Sequence, residues 1–176
     1  MIERKGGRRR WWGRSLSLGA CLSALVVLGV GCAAGGSGSN RGLSWDLGIA
    51  TPRDAMDKSV QVLRNYQYDV ERDSGPPNIY IITRWRERTP FDDEQAAGIE
   101  AVQTRFIVEA RPRTRNPEGQ DMYTVRIRAE NMVRMSRESG DWSTEGPVSS
   151  EFRAYAGRIA DDIRSSLATG IRMVGP

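Results

Sequence analysis

Histidine is absent from the 176-residue chain, and cysteine occurs only at Cys21 and Cys32. The missing imidazole excludes Ser-His-Asp and Cys-His nucleophile systems, His-containing zinc sites and a histidine pH switch. Lysine is nearly absent as well: Lys5 and Lys58 are the only two, so almost every cation is an arginine. Long apolar runs are also scarce. The apolar stretch of residues 15–31 holds seventeen residues without a charge, and a membrane-spanning helix needs roughly 20.

What is present divides the chain at that stretch. A formal charge of +4 and a pI near 9.4 suggest an acidic partner such as nucleic acid. Six of the basic residues (Arg4, Lys5, Arg8, Arg9, Arg10, Arg14) and a single acid, Glu3, lie in residues 1–31. The remainder has twenty basic and twenty-one acidic side chains, so it is close to neutral, and no nucleic-acid partner is expected. A basic start, an apolar core and a small-residue stretch are the three parts of a secretion signal. Residues 1–31 are therefore read as a signal peptide, 32–44 as a flexible spacer and 45–176 as a single domain. Arg9-Arg10 before the apolar run faintly resembles a twin-arginine export signal, but Arg8 and the following Trp11-Trp12-Gly13 depart from it.

The run Leu28-Gly29-Val30-Gly31-Cys32 resembles the lipobox of bacterial lipoproteins, in which a small residue precedes a cysteine that takes diacylglycerol on sulfur. The family pattern prefers leucine three places before the cysteine, where this chain has Gly29. Leu18-Gly19-Ala20-Cys21 matches the four-residue motif better. That choice would leave almost no apolar core before the cysteine and would strand Leu22–Val30 on the mature chain, so Cys32 is the expected lipidation site. The resemblance implies a diacylglyceryl group and an acylated amino terminus, such as palmitate, and leaves no thiol for an internal disulfide. Ala33, where an aspartate would retain such a protein at the inner membrane of enteric bacteria, implies the outer membrane, with the domain in the periplasm.

In the mature region, Thr51-Pro52-Arg53-Asp54 signals a helix start, with an N-cap threonine, proline at the first position and an acid at the third. Met56, Val60 and Leu63 continue at helical spacing, predicting a helix over 52–65. Alternating patterns predict strands over 66–72, 78–88, 101–111 and 122–134. Trp85 shares parity with Ile79 and Ile81 and is expected in the core. Phe152, Tyr155, Ala156, Ile159, Ile163 and Leu167 define a final helix starting near Ser149 or Ser150, with Gly170 as its stop. The expected fold is an α+β two-layer sandwich, a four-stranded antiparallel sheet with two helices on one face. Residues 89–98 and 112–120 are read as mobile loops.

Catalytic signals are few. Asp92-Asp93 beside Glu94 lacks the spacing of a calcium loop, and Asp161-Asp162 is expected to face solvent. No cofactor or metal site is expected, and the chain is not expected to be an enzyme. The strand parity places Arg84, Arg86, Arg105, Arg111, Arg126 and Arg128 on the open sheet face, with Tyr80, Ile82 and Ile107 among them. Arginine alternating with apolar groups suits a partner carboxylate, a phosphate-bearing lipid or another chain. The same pattern also describes a solvated face whose arginines pair with Glu87, Glu109 and Glu130. The layout of the mature chain resembles small outer-membrane lipoproteins that assist assembly of barrel proteins or lipopolysaccharide. That resemblance implies non-covalent binding of an envelope protein or an anionic glycolipid. A small periplasmic hydrolase or glycan-modifying enzyme, and a binding module for a small anionic ligand, are the alternatives.

Overall fold

The computed structural model describes residues 43–135, 140–144 and 148–171. The segment read as a signal peptide, Cys21, Cys32 and most of the segment read as a spacer lie outside them. Among the described residues the elements run β1 (Leu43–Ala50), α1 (Pro52–Asn65), β2 (Val70–Ser74), β3 (Ile79–Thr83), β4 (Arg86–Arg88), α2 (Asp92–Ala96), β5 (Ala101–Arg115), β6 (Asp121–Arg134) and α3 (Ser150–Ile171). All strand pairs are antiparallel, in the order β1-β6-β5-β3-β2, with β4 beside β5 where β3 leaves off.

The expected four strands and two helices are thus corrected to six strands and three helices, still an α+β arrangement with the helices against a sheet. Three local causes account for the difference. First, β1 begins inside the segment read as spacer, because Gly48 interrupts the alternation of LSWDLGIA. Gly48 sits at a bulge with φ +106°, a backbone that suits glycine, and the register against β6 shifts there. Second, the long strand expected over 78–88 is two strands: Ile82 faces Ile107, but Arg86 faces Thr104, so an extra residue is inserted at Arg84-Trp85. Third, the acidic segment read as a loop contains α2. The strand expected over 66–72 is also displaced, because Tyr66 caps α1 and pairing starts only at Val70.

Helix α1 matches its predicted span. Thr51 Oγ1 accepts from the Asp54 N–H at 3.1 Å, while the Asp54 carboxylate pairs with Lys58 at 3.4 Å instead of reaching back to the cap. Its far end closes in a Schellman motif, with Tyr68 N–H donating to Leu63 O and Gln67 N–H to Arg64 O. Gln67 therefore takes φ +62°, the left-handed position usually held by glycine.

One core unites the helices with the inner sheet face. Leu63 of α1 and Phe152, Ala156, Ile159, Ile163 and Leu167 of α3 pack with Ile79, Ile81, Phe106, Val108, Tyr123, Val125 and Ile127. Trp45 of β1 lies partly buried against this core and reaches the backbone of α3 at Gly157. A separate small cluster of Ile99, Val102 and Val133 closes the sheet end near α2.

Candidate partner-binding face

No described helix covers the second sheet face, and the ladder registers fix what stands on it. Three rows cross the sheet. Ser74, Tyr80, Glu109, Arg126 and Asp46 form one; Arg72, Ile82, Ile107, Arg128 and Ser44 the next; Arg105 and Glu130 continue the third. The inserted residue at Arg84-Trp85 turns Trp85 onto this face, where the Arg105 guanidinium stacks 4.4 Å from its ring centre. Trp85 is therefore half-buried beneath an arginine, and the expectation that it enters the core is corrected.

The same insertion moves Arg86 to the opposite side. Its guanidinium donates to Tyr66 O and Gln67 Oε1, each at 2.8 Å, and lies over the Tyr68 ring. Arg86 thus bolts the end of α1 to the sheet and is not part of the open face.

The remaining predicted arginines divide into answered and unanswered charges. Arg105 donates to Glu130 at 2.7 Å, and Arg126 donates to Asp46 at 2.5 Å. Arg128 Nε lies 3.2 Å from Glu130 but out of hydrogen-bonding alignment. Arg111 stands beyond the end of β3, where β5 and β6 continue as a hairpin, and pairs with Glu109 at 3.3 Å. Ile107 is only 2% exposed, though no described helix covers it, because it lies between Ile82 and long-armed Arg128. Towards β1, then, the face is a checkerboard of ion pairs over an apolar floor. Towards β2 it differs: Arg84 and Arg72 are exposed and have no side-chain partner among the described residues, beside half-buried Tyr80, Ile82 and Trp85. Arg72 was not singled out from sequence, because strict alternation gives it the parity of Val70, and the register shift between Val70 and Arg72 turns it onto the open face.

The acidic groups noted in the sequence have structural partners. The Glu94 carboxylate is buried and accepts two bonds from Arg88, each at 2.7 Å, and one from the Phe91 N–H at 2.9 Å. Arg88 also stacks 4.1 Å from the Phe91 ring centre. Asp93 Oδ2 accepts from Ser150 Oγ at 3.0 Å and from the Glu151 N–H at 3.1 Å, at the start of α3. Desolvation pushes the Asp93 carboxyl up, but these donors outweigh it and hold the group below its ordinary value. Asp162 accepts from Tyr66 Oη at 2.6 Å, which raises the phenol above its ordinary value, and Asp161 pairs with Arg164. Tyr68 is driven up chiefly by burial and shares a 3.1 Å bond with Tyr155.

Two depressions accompany these features. One, about 360 Å³, lies along Asn78–Tyr80 and Glu109–Arg111; the other, about 620 Å³, is lined by Thr89, Pro90, Gln95, Gly98, Ile99 and Glu100. Among the described residues no cluster of three or more His, Cys, Asp or Glu is placed to hold a metal ion. No described helix is long and apolar enough to cross a membrane. Comparison with protein-family models, with curated proteins and with solved structures finds no match for this chain.

Proposed function

We propose that this chain is a lipid-anchored periplasmic domain that works by non-covalent binding in the assembly or maintenance of the outer membrane. Cys32 is its anchor. The observation that supports binding is the β2–β3 margin of the open face, where Arg72 and Arg84, without a side-chain partner among the described residues, flank half-buried Tyr80, Ile82 and Trp85. Exposed guanidiniums beside aromatic and aliphatic groups suit a phosphate-bearing glycolipid or the acidic surface of an envelope protein. A hydrolase is a poorer reading, because Asp93 and Glu94 cap and pin helices and Asp161 and Asp162 are engaged on α3.

The test is charge reversal at the unanswered arginines. Arg72→Glu with Arg84→Glu should leave stability within about 1 kcal/mol, since exposed sites away from packing features tolerate change. The same variant should no longer retain its partner when purified from detergent-solubilised envelopes, and should not rescue a deletion strain. Full rescue at normal abundance would remove this face from the functional account. Arg105 and Arg126 are the wrong pair for such a test, because reversing them also breaks their bonds to Glu130 and Asp46.

A further inference from the structure

We infer that the domain rests on the lipid surface by the end of the sheet formed by Arg134, Met135 and Trp142. This inference builds on the lipid anchor at Cys32, and it adds which part of the domain meets the membrane.

The argument starts from where the described chain begins. Leu43 opens β1 and pairs with Ala129 of β6. Because β1 runs antiparallel to β6, its amino-terminal end points towards Arg134 and Met135. Met135 lies six residues beyond Ala129, roughly 20 Å along a strand. Leu43 is eleven residues from Cys32, and a chain of that length spans at most about 40 Å. The Met135 end therefore lies within about half of the tether's maximum reach, on the side to which the start of β1 points. The opposite end is the turn beyond Asp121, eight residues from Ala129 the other way. Bringing that turn to the membrane would require the tether to reverse and to cover more than roughly 26 Å, about two thirds of its maximum reach.

The near end also has the chemistry of a lipid contact. Met135 is 60% exposed, the most prominent large apolar side chain on the described surface. Beside it, the Arg134 guanidinium lies 4.8 Å from the centre of the half-buried Trp142 ring. Trp142 is fixed there because its neighbour Ser143 forms a two-way backbone bridge with Val133, both bonds at 2.9 Å. A tryptophan with an arginine over it and a thioether alongside matches the headgroup boundary, where amphipathic rings settle and guanidiniums meet phosphates. Asp141 and Glu100 stand at the same end, so the contact is not a basic patch and does not depend on anionic lipid.

The experiment uses the mature lipidated protein in phosphatidylcholine vesicles whose acyl chains carry bromine, which quenches tryptophan emission only at close range. Three variants each keep one of the mature tryptophans, Trp45, Trp85 or Trp142, with the other two changed to phenylalanine. All three should float with the vesicles. Trp142 should lose several-fold more of its emission than Trp85 or Trp45, equally with and without phosphatidylglycerol. Adding Met135→Glu should bring Trp142 quenching down towards that of Trp85 while flotation is unchanged. Quenching greatest at Trp85 would put the open face on the membrane and overturn the inference, as would three unquenched tryptophans on floating protein. Quenching that appears only with phosphatidylglycerol would overturn the apolar contact. Failure to float would overturn the anchor itself, and this inference with it.

Discussion

At the residue scale, the single insertion at Arg84-Trp85 has the largest consequences. Strict alternation over 78–88 put Trp85 in the core and Arg86 in solvent; the structure exchanges their sides, because one extra residue inverts every side chain after it. Nothing in Ile82-Thr83-Arg84-Trp85-Arg86 announces the bulge, since none of these residues is glycine or proline. The inversion also sends Arg88 inwards to Glu94, creating a bidentate ion pair whose side chains are 10% and 2% exposed. Thr104 accepts from Arg88 Nε at 3.3 Å and donates to Asn131 at 2.9 Å, so the guanidinium is satisfied on several sides. Burying such a pair adds little net stability, but breaking it strands a charge. Glu94→Ala should therefore destabilise by about 3–5 kcal/mol. Arg88→Met combined with Glu94→Leu should cost less than Glu94→Ala alone. Urea denaturation midpoints compare the two; equal losses would show that the Phe91 N–H and Thr104 bonds, rather than the stranded charge, set the cost.

At the element scale, α2 and α3 hold each other's amino termini. Asp93 of α2 accepts from Ser150 and Glu151 of α3, and Glu151 in return accepts from the Asp92 N–H at 3.3 Å. Ser149 Oγ completes the arrangement by accepting from the Phe152 N–H at 3.0 Å. Segment 89–98 looked like a mobile acidic loop because its helix is only five residues long and draws its stability from these long-range bonds. The start of α3 was legible, because Ser149 and Ser150 precede its apolar periodicity in the chain itself. The reciprocal cap predicts a pH dependence with a definite sign. Since Asp93 is held below its ordinary value of 3.8, its contribution is fully present above that value and is lost as pH falls through the depressed one. Asp93→Asn removes the charge at every pH. Wild type should exceed the variant in thermal midpoint at neutral pH, and the gap should close as the pH is lowered below about 4. A gap that persists unchanged in acid would assign the cap to hydrogen bonding alone. A second edge feature sits on β5. Phe106 N–H points to Thr83, so Pro112, of the same parity and beyond the last β3 pair at Ala110, presents no donor at its position on that free edge.

At the scale of the whole molecule, the core was the most legible part. Phe106, Tyr123 and Ile159, from two strands and the final helix, meet within one cluster, because long strands and an amphipathic helix impose clear periods of two and 3.6. The open face was legible only in part: parity placed Tyr80, Arg105, Arg126 and Arg128 correctly, but their pairing depends on register, which alternation does not reveal. The described residues contain no cysteine, since Cys21 and Cys32 both lie outside them. The proposed attachment to a membrane therefore rests on chemistry at a single residue, and that separates the proposal from its rivals. If Cys32 is the acylated residue, Cys32→Ala should abolish incorporation of labelled palmitate and leave an unprocessed precursor. Cys21→Ala should be labelled and processed as in the wild type, because Cys21 lies within the segment that is removed. The readouts are palmitate labelling and the mass of the mature chain. Labelling that survives Cys32→Ala but is lost with Cys21→Ala would move the anchor eleven residues upstream, lengthen the tether beyond β1 and leave Leu22–Val30 on the mature protein. A wild-type chain that takes up no labelled palmitate would remove the lipid from the account and leave an exported domain whose binding face stands on its own.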